Sequence, residues 1–247
     1  MDRRHMLMSL LAGAGALSSD IAREPMLAQE AAAPDPSLYI PEAHLVDDRK
    51  FLHDFMTDFP FVDLVTAAPA LRITHIPVLL DRDRGRFGTI IGHVSAKNPQ
   101  RTAFDGGHGT VIVFRGPHGY ISPTWYASRE AVPTWNFSVV HASGRPRAIT
   151  DAAQTRAFLA RLVKTFEKTV GSDFDLATLP ESYVARMVQG IAPFEMEIDA
   201  LEGKFKLGQD RSAADRDGVL THVRQGSYRE PSLPDLTETI YRMRPPK

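Results

Sequence analysis

The chain has 247 residues, 43% of them apolar and 24% charged, with a formal net charge of −1, the balance of an ordinary globular protein. That charge gives no electrostatic reason to expect nucleic-acid binding, which depends on clustered Lys and Arg that neutralise phosphates. The lack of cysteine excludes disulfides, Cys-based zinc sites and a thiol nucleophile, and no apolar run reaches the ~20 residues that cross a bilayer.

The first segment, MDRRHMLMSLLAGAGALSS, sets Arg3-Arg4 ahead of an apolar stretch and then polar residues. That is the outline of a bacterial twin-arginine export signal, which implies a periplasmic protein; the alternative is an N-terminal extension on a cytoplasmic one. AAAPDP, ending at Pro36, reads as a linker, so residues 1–35 are set aside as signal and linker and the folded domain is expected over 36–225.

Asp47 or Asp48 can cap a helix whose Phe51, Leu52, Phe55 and Met56 are spaced for one face, and Pro60 ends it. Five strand-like runs follow: FVDLVTA, LRITHIPVLL, GTIIGHVS, GTVIVFRG and NFSVVHASGRPRAI. DRDRG joins the second to the third as a hairpin-like loop, while Gly106-Gly107 and Gly116-Pro117 break up the middle. Asp151 with Gln154 forms a capping-box pattern for a helix with Phe158, Leu159, Leu162, Val163, Phe166 and Val170 on one stripe. A shorter helix around Val184 stops at Gly190, and FEMEIDALEGKFKL returns to period-two alternation with Phe194, Met196 and Ile198 on one side. Ser212 with Asp215 caps a last helix reaching Val223, and residues 226–247, with four prolines, read as a tail or surface arm. The sum is a mainly β (α+β) domain of about six strands with flanking helices, a small barrel.

Alternation places Arg72 and Thr74 on one face of their strand, and Ile73 and His75 on the other. A guanidinium fork beside a hydroxyl suits a phosphate; alone, the pair also fits a solvated surface strand. On the next strand His93 and Ser95 share a face, with Lys97 and Asn98 following. If the two strands pair, six donors can converge at one end of the sheet, which suits a phosphate monoester. GGHG lacks the spacing of a dinucleotide or P-loop motif and reads as a turn. The histidines have few carboxylates near them and none of the i, i+4 spacing of a zincin, so no metal site is expected. No serine has the G-x-S-x-G context of an acyl-transfer nucleophile. Both tryptophans, Trp125 and Trp135, stand two residues after a proline, close to His118, Tyr120 and Ser122. They either anchor a core or wall a site for a flat ligand.

THIPVLL, GHVSAKNP, GPHGYISPTWY, VPTWNFSVVHASGRPR and LEGKFKLGQDR, in this order, resemble the FMN-binding negative transcriptional regulators of the PaiB-like family, related to the FMN-binding split barrels. The resemblance covers roughly Leu38 to Val223. It implies a six-stranded antiparallel Greek-key split barrel, a homodimer, and FMN in clefts between subunits. It makes Arg72, Thr74, His93, Ser95, Lys97 and Asn98 phosphate and ribityl contacts, with His75 beside them, and sets Tyr120, Ser122, Trp125 and Trp135 at the flavin or substrate side. Lys206 is carried with the GKFKLGQDR motif, whose two lysines alternation puts on one face; lysine on an exposed edge strand is the competing reading. Arg101 after Asn-Pro-Gln, Gly208 and Asp210 beside Gln209, and Phe137 after Trp135-Asn136 depart from the family pattern. The function expected is redox chemistry on a small molecule, since a flavin supplies electron transfer itself. The alternatives are a regulator without a DNA-binding motif, or a haem or small-ligand binder on the same barrel.

Overall fold

A computed structural model describes residues 36–225 and 232–243. The Arg3-Arg4 segment and the linker lie outside the described residues. In chain order the elements are β1 (Leu45–Val46), α1 (Arg49–Asp58), β2 (Phe61–Thr66), β3 (Arg72–Asp81), β4 (Thr89–Ser95), β5 (Thr110–Ile121), β6 (Thr134–Gly144), β7 (Arg147–Ala148), α2 (Ala152–Thr169), α3 (Glu181–Gln189), β8 (Ile191–Lys206), α4 (Ala213–Arg224) and α5 (Leu233–Met243). All pairings are antiparallel, in the order β8-β4-β3-β2-β5-β6, and β6 returns to β8, so six strands close into a barrel. The long β8 makes the closure: Ile191–Glu197 pair with β4, and Ile198–Lys206 pair with β6.

Local chemistry sets the ends of the helices. The Asp48, Asp151 and Ser212 side chains accept from the backbone N–H of Phe51, Gln154 and Asp215, respectively, as expected of N-caps. Alternation then fills the barrel: Leu64, Ile90, Ile112, Phe114, Val140, Phe194, Met196 and Phe205 point inward and are buried, while Leu52, Phe55 and Met56 of α1 pack on the same core. A second core forms on the outside, where α2 lays Phe158, Leu159 and Leu162 over Leu79 and Ile91. Val170, expected on that stripe, is exposed, because α2 stops at Thr169.

Two expectations are corrected. Gly116-Pro117 does not end a strand: β5 runs through it to Ile121, with a bulge between Arg115 and His118. Glycine is required there, since a Cβ would lie 2.5 Å from the Phe55 ring. The segment read as a tail carries α5, whose Leu233 and Ile240 are fully buried against the barrel core. The Tyr241 hydroxyl donates to the Leu207 carbonyl at 3.0 Å, and burial raises its pKa well above the usual phenol value. The prolines misled the reading: Pro234 stands in the first turn of α5, where the missing N–H costs no helical bond. Truncating Ile240→Ala should cost ~2–5 kcal/mol of stability in urea unfolding, the range for a buried isoleucine; a loss below ~1 kcal/mol would place α5 off the core.

Candidate functional site

Where β3 begins, a polar corner is built from two elements. Thr66↔Arg72 and Leu64↔Thr74 register pairs turn Arg72 and Thr74 to the inner side of the sheet. The turn after β4 (Pro99–Ala103) is capped by Asn98, whose side-chain oxygen accepts from Gln100 N–H. Asn98 Nδ2 donates to Thr74 Oγ1 at 2.9 Å, and Thr74 donates to Gln100. Gln100, fully buried, fixes the corner from below by donating to the carbonyls of Leu64 and Arg72 and to Thr66 Oγ1. The sequence reading missed Gln100, because its partners lie 26–36 residues away. Neither Arg72 nor Lys97 has an acidic partner among the described residues, so two cationic groups are available here. Ser95 is exposed and accepts from the Lys97 backbone N–H.

His93 does not join the corner. The pairs Val78↔Gly92 and Leu79↔Ile91 set the odd-numbered residues of β3 and β4 on the outer face, so His93 points away from Thr74 and under α2. Its ring meets Phe158 edge-on at 5.8 Å, and Nδ1 is buried without a hydrogen-bond partner. Burial pushes its pKa below the ordinary imidazole value.

The two tryptophans part company. Trp125 ends a turn (Pro123–Trp125) capped by Ser122, and its ring stacks on His222 of α4 at 5.2 Å with planes 8° apart. It is a packing residue. Trp135 is 50% exposed on β6. Its indole N–H donates to His118 Nδ1 at 3.2 Å, and Tyr120 meets it edge-on. Lys206 lies beneath, donating to Thr134 and to the Trp135 carbonyl. Burial pushes its pKa below the usual lysine value, with Asp210 opposing. Lys204 shares that face and sits 5.5 Å over the Phe137 ring. The edge-strand reading does not hold for Lys204, where β8 pairs with β6 on one side and β1 on the other; at Lys206 β8 pairs with β6, opposite Phe137.

Between the corner and the aromatic cluster, Asp63, His75 and Arg115 meet on the outer face of β2, β3 and β5. Asp63↔His75 is a register pair; the imidazole Nδ1 lies 2.5 Å from Asp63 Oδ1, and Arg115 Nη2 lies 3.0 and 2.9 Å from the two carboxylate oxygens. The sequence reading named His75 but not its partners. Among the described residues no group of His, Asp and Glu could hold a metal, and no helix is long and apolar enough to cross a membrane.

Residues 38–200 match the profile of the family described as "Putative FMN-binding domain". The chain belongs to this family. An uncharacterized Aspergillus fumigatus protein is 30% identical over 233 residues, covering 74% of this chain and 89% of that one. The Bacillus subtilis protease synthase and sporulation protein PAI 2 is 28% identical over 187 residues, covering 75% and 89%. Among solved structures, the FAD and heme binding protein of Mycobacterium smegmatis superposes with a TM-score of 0.50 at 14% identity, covering 75% of this chain and 81% of that one, a likeness of fold.

Within this FMN-binding family chain the Thr74–Asn98 corner, with Arg72 and Lys97 unpaired by any acid among the described residues, suits the anionic and polyol parts of a phosphorylated ligand; the exposed rings of Tyr120 and Trp135, which suit a flat one, lie at the far end of β5 on the outer face. His93 stands apart from that set and has a separate consequence. A histidine kept neutral by burial withdraws stability as pH falls below its unfolded value of ~6.5, because the unfolded chain binds the proton first. His93→Gln should therefore flatten the loss of urea midpoint between about pH 7.5 and 5, leaving the share due to His141, whose pKa is also lowered by burial. Equal slopes in the two proteins would contradict this.

Proposed function

We propose that this chain is an FMN-binding flavoprotein that performs redox chemistry on a small molecule, working as a homodimer in the cell envelope. The observation that carries the reading is the cation-bearing polar corner inside the family-matched segment, on the same sheet as an uncovered aromatic face. Arg72 and Lys97 would hold the phosphate and Thr74 and Asn98 the ribityl hydroxyls, while in the dimer Tyr120 and Trp135 of the second copy would border the ring system. FMN, when bound, supplies one- or two-electron transfer; the protein binds, orients and excludes water around it.

The dimer is supported by an uneven outer surface. α2 covers the outer face of β3 and β4, whereas the face formed by β2, β5, β6 and the start of β3 exposes Phe61, Ile73, Tyr120 and Trp135, with Val65, Val113 and Val139 half-covered among them. Exposed apolar residues set around the Asp63–His75–Arg115 cluster on one uncovered face support an interaction surface, and a second copy would cover it while walling the cleft. The envelope location rests on the Arg3-Arg4 segment alone. A net charge of −1 supports no direct contact with nucleic acid.

Protein purified without added cofactor should show the absorbance bands of oxidised flavin; an intense Soret band would assign haem instead, and a colourless protein that takes up no FMN would overturn the reading. Arg72→Ala should weaken FMN binding by about 1.5–3 kcal/mol, the range for a hydrogen bond to a charged group, measured by quenching of flavin fluorescence. Ile73→Glu should convert a dimer into a monomer in light scattering; a monomeric parent protein with bound flavin would exclude the shared cleft.

A further inference from the structure

Gln100 is fully buried, and its partners leave its side chain one orientation. The amide nitrogen faces the carbonyl oxygens of Leu64 at 2.9 Å and Arg72 at 3.3 Å, groups that only accept, and Thr66 Oγ1 at 3.3 Å. The amide oxygen is therefore turned to Thr74. Since that oxygen only accepts, the Thr74 hydroxyl gives it its single hydrogen. Asn98 is fixed in the same way. Its side-chain oxygen accepts the backbone N–H of Gln100 at 2.9 Å, a group that only donates, so Nδ2 is the atom that meets Thr74 Oγ1, also at 2.9 Å. Backbone groups thus set the direction of both hydrogen bonds at Thr74.

What remains open follows by subtraction. A hydroxyl carries one hydrogen and two lone pairs. Thr74 has given its hydrogen to Gln100 and engaged one lone pair with Asn98, and among the described residues nothing takes the other. Asn98 Nδ2 carries two hydrogens, and nothing but Thr74 accepts from it. Both side chains are half-buried. The corner therefore presents an acceptor on Thr74 beside a donor on Asn98. An alcohol satisfies both through one oxygen, because it donates and accepts. A dianionic phosphate only accepts, and against Thr74 it sets lone pair against lone pair. The cations that suit a phosphate adjoin the corner: Arg72 shares the inner side of β3 with Thr74, and Lys97 directly precedes Asn98.

We propose that Gln100 is a specificity-determining positioning residue: by accepting the Thr74 hydrogen it makes that hydroxyl an acceptor, and so commits the corner to an alcohol group of the ligand and leaves the phosphate to Arg72 and Lys97. This rests on the FMN reading above and deepens it. The ligand class selected is a flat ring carrying a phosphorylated polyol chain, with a chain hydroxyl, and not the phosphate, at Thr74. Gln100 touches no ligand itself and acts through Thr74 and Asn98.

The test measures quenching of flavin fluorescence on the full chain with FMN and two analogues that keep the ring, the chain length and the phosphate. One has a plain alkyl chain in place of the ribityl; the other has an ether oxygen in that chain, which accepts and cannot donate. Thr74→Val should lower the affinity for FMN roughly three- to tenfold, the effect of one net hydrogen bond, and leave that for the alkyl analogue unchanged. Gln100→Met frees the Thr74 hydrogen to turn outward, so it should raise the affinity for the ether analogue relative to the alkyl one by a similar factor. A merely structural role would change both analogues alike. Equal changes for FMN and the alkyl analogue in Thr74→Val, or a parental ether-to-alkyl ratio in Gln100→Met, overturn the proposal and leave FMN binding standing. A parent that binds none of the three flavins overturns the FMN reading and the proposal with it. If Gln100→Met does not fold, Thr74→Ser decides beside Thr74→Val: it keeps the hydroxyl and should keep the parent's preference for FMN over the alkyl analogue, and loss of that preference overturns the proposal.

Discussion

β8 belongs to two sheets at once. Its first seven residues complete the β3–β4 side and its last nine complete the β5–β6 side, and without that shared strand the six-stranded ring would be an open sheet with two raw edges. The crossing point is tight. At Gly144 an added Cβ would lie 2.3 Å from the Glu197 carbonyl, and at Gly203 one would lie 2.4 Å from Leu52. Closure brings the interior of both sheets onto one core, in which Phe114, Phe194 and Phe205 are buried completely.

Once the ring is closed, everything that could contact a ligand is either at its rim or on its outside, and the helices decide which outside is left open. α2 spends its apolar stripe on Leu79 and Ile91 and in doing so removes His93 from reach. Among the described residues nothing comparable covers β2, β5 and β6, so their outward residues keep both their apolar surface and their polar groups: the Asp63–His75–Arg115 cluster, His118 with Trp135, and the two lysines of β8. The polar corner of Thr74, Asn98 and Gln100 lies at the rim, at the start of β3. The packing of α2 thus settles which outward side chains stay open, while the corner is set separately by register and by Gln100.

Much of this was legible in the sequence wherever the cause is local. Caps at Asp48, Asp151 and Ser212 act over three residues, and period two sorted Phe194, Met196 and Ile198 inward. Arg72 and Thr74 do share a face for the same reason. What could not be read is register and cover. That His93 and Thr74 fall on opposite sides follows from Val78 facing Gly92, a pairing no single strand announces. Asp63 became visible as His75's partner only across a register pair, and Arg115 lies 52 residues from it. Likewise Trp125 and Trp135 occupy near-identical local settings, Pro-Thr-Trp in each, and part only because α4 stands over the first.

That helix reaches further than its own position. The backbone of α4 comes so close to the Pro123 turn that a Cβ on Gly218 would lie 2.1 Å from the Trp125 carbonyl oxygen, so the loop leaving β5 is seated by residues past the family-matched segment, which stops at 200. The strand that shuts the ring, β8, likewise runs on to Lys206. An excised fragment trimmed to the matched boundaries would keep the Thr74–Asn98 corner but lose the seam beside β6 and the seat of the tryptophan turn. The smallest autonomous unit of this protein is therefore longer than the stretch by which its kinship is recognised.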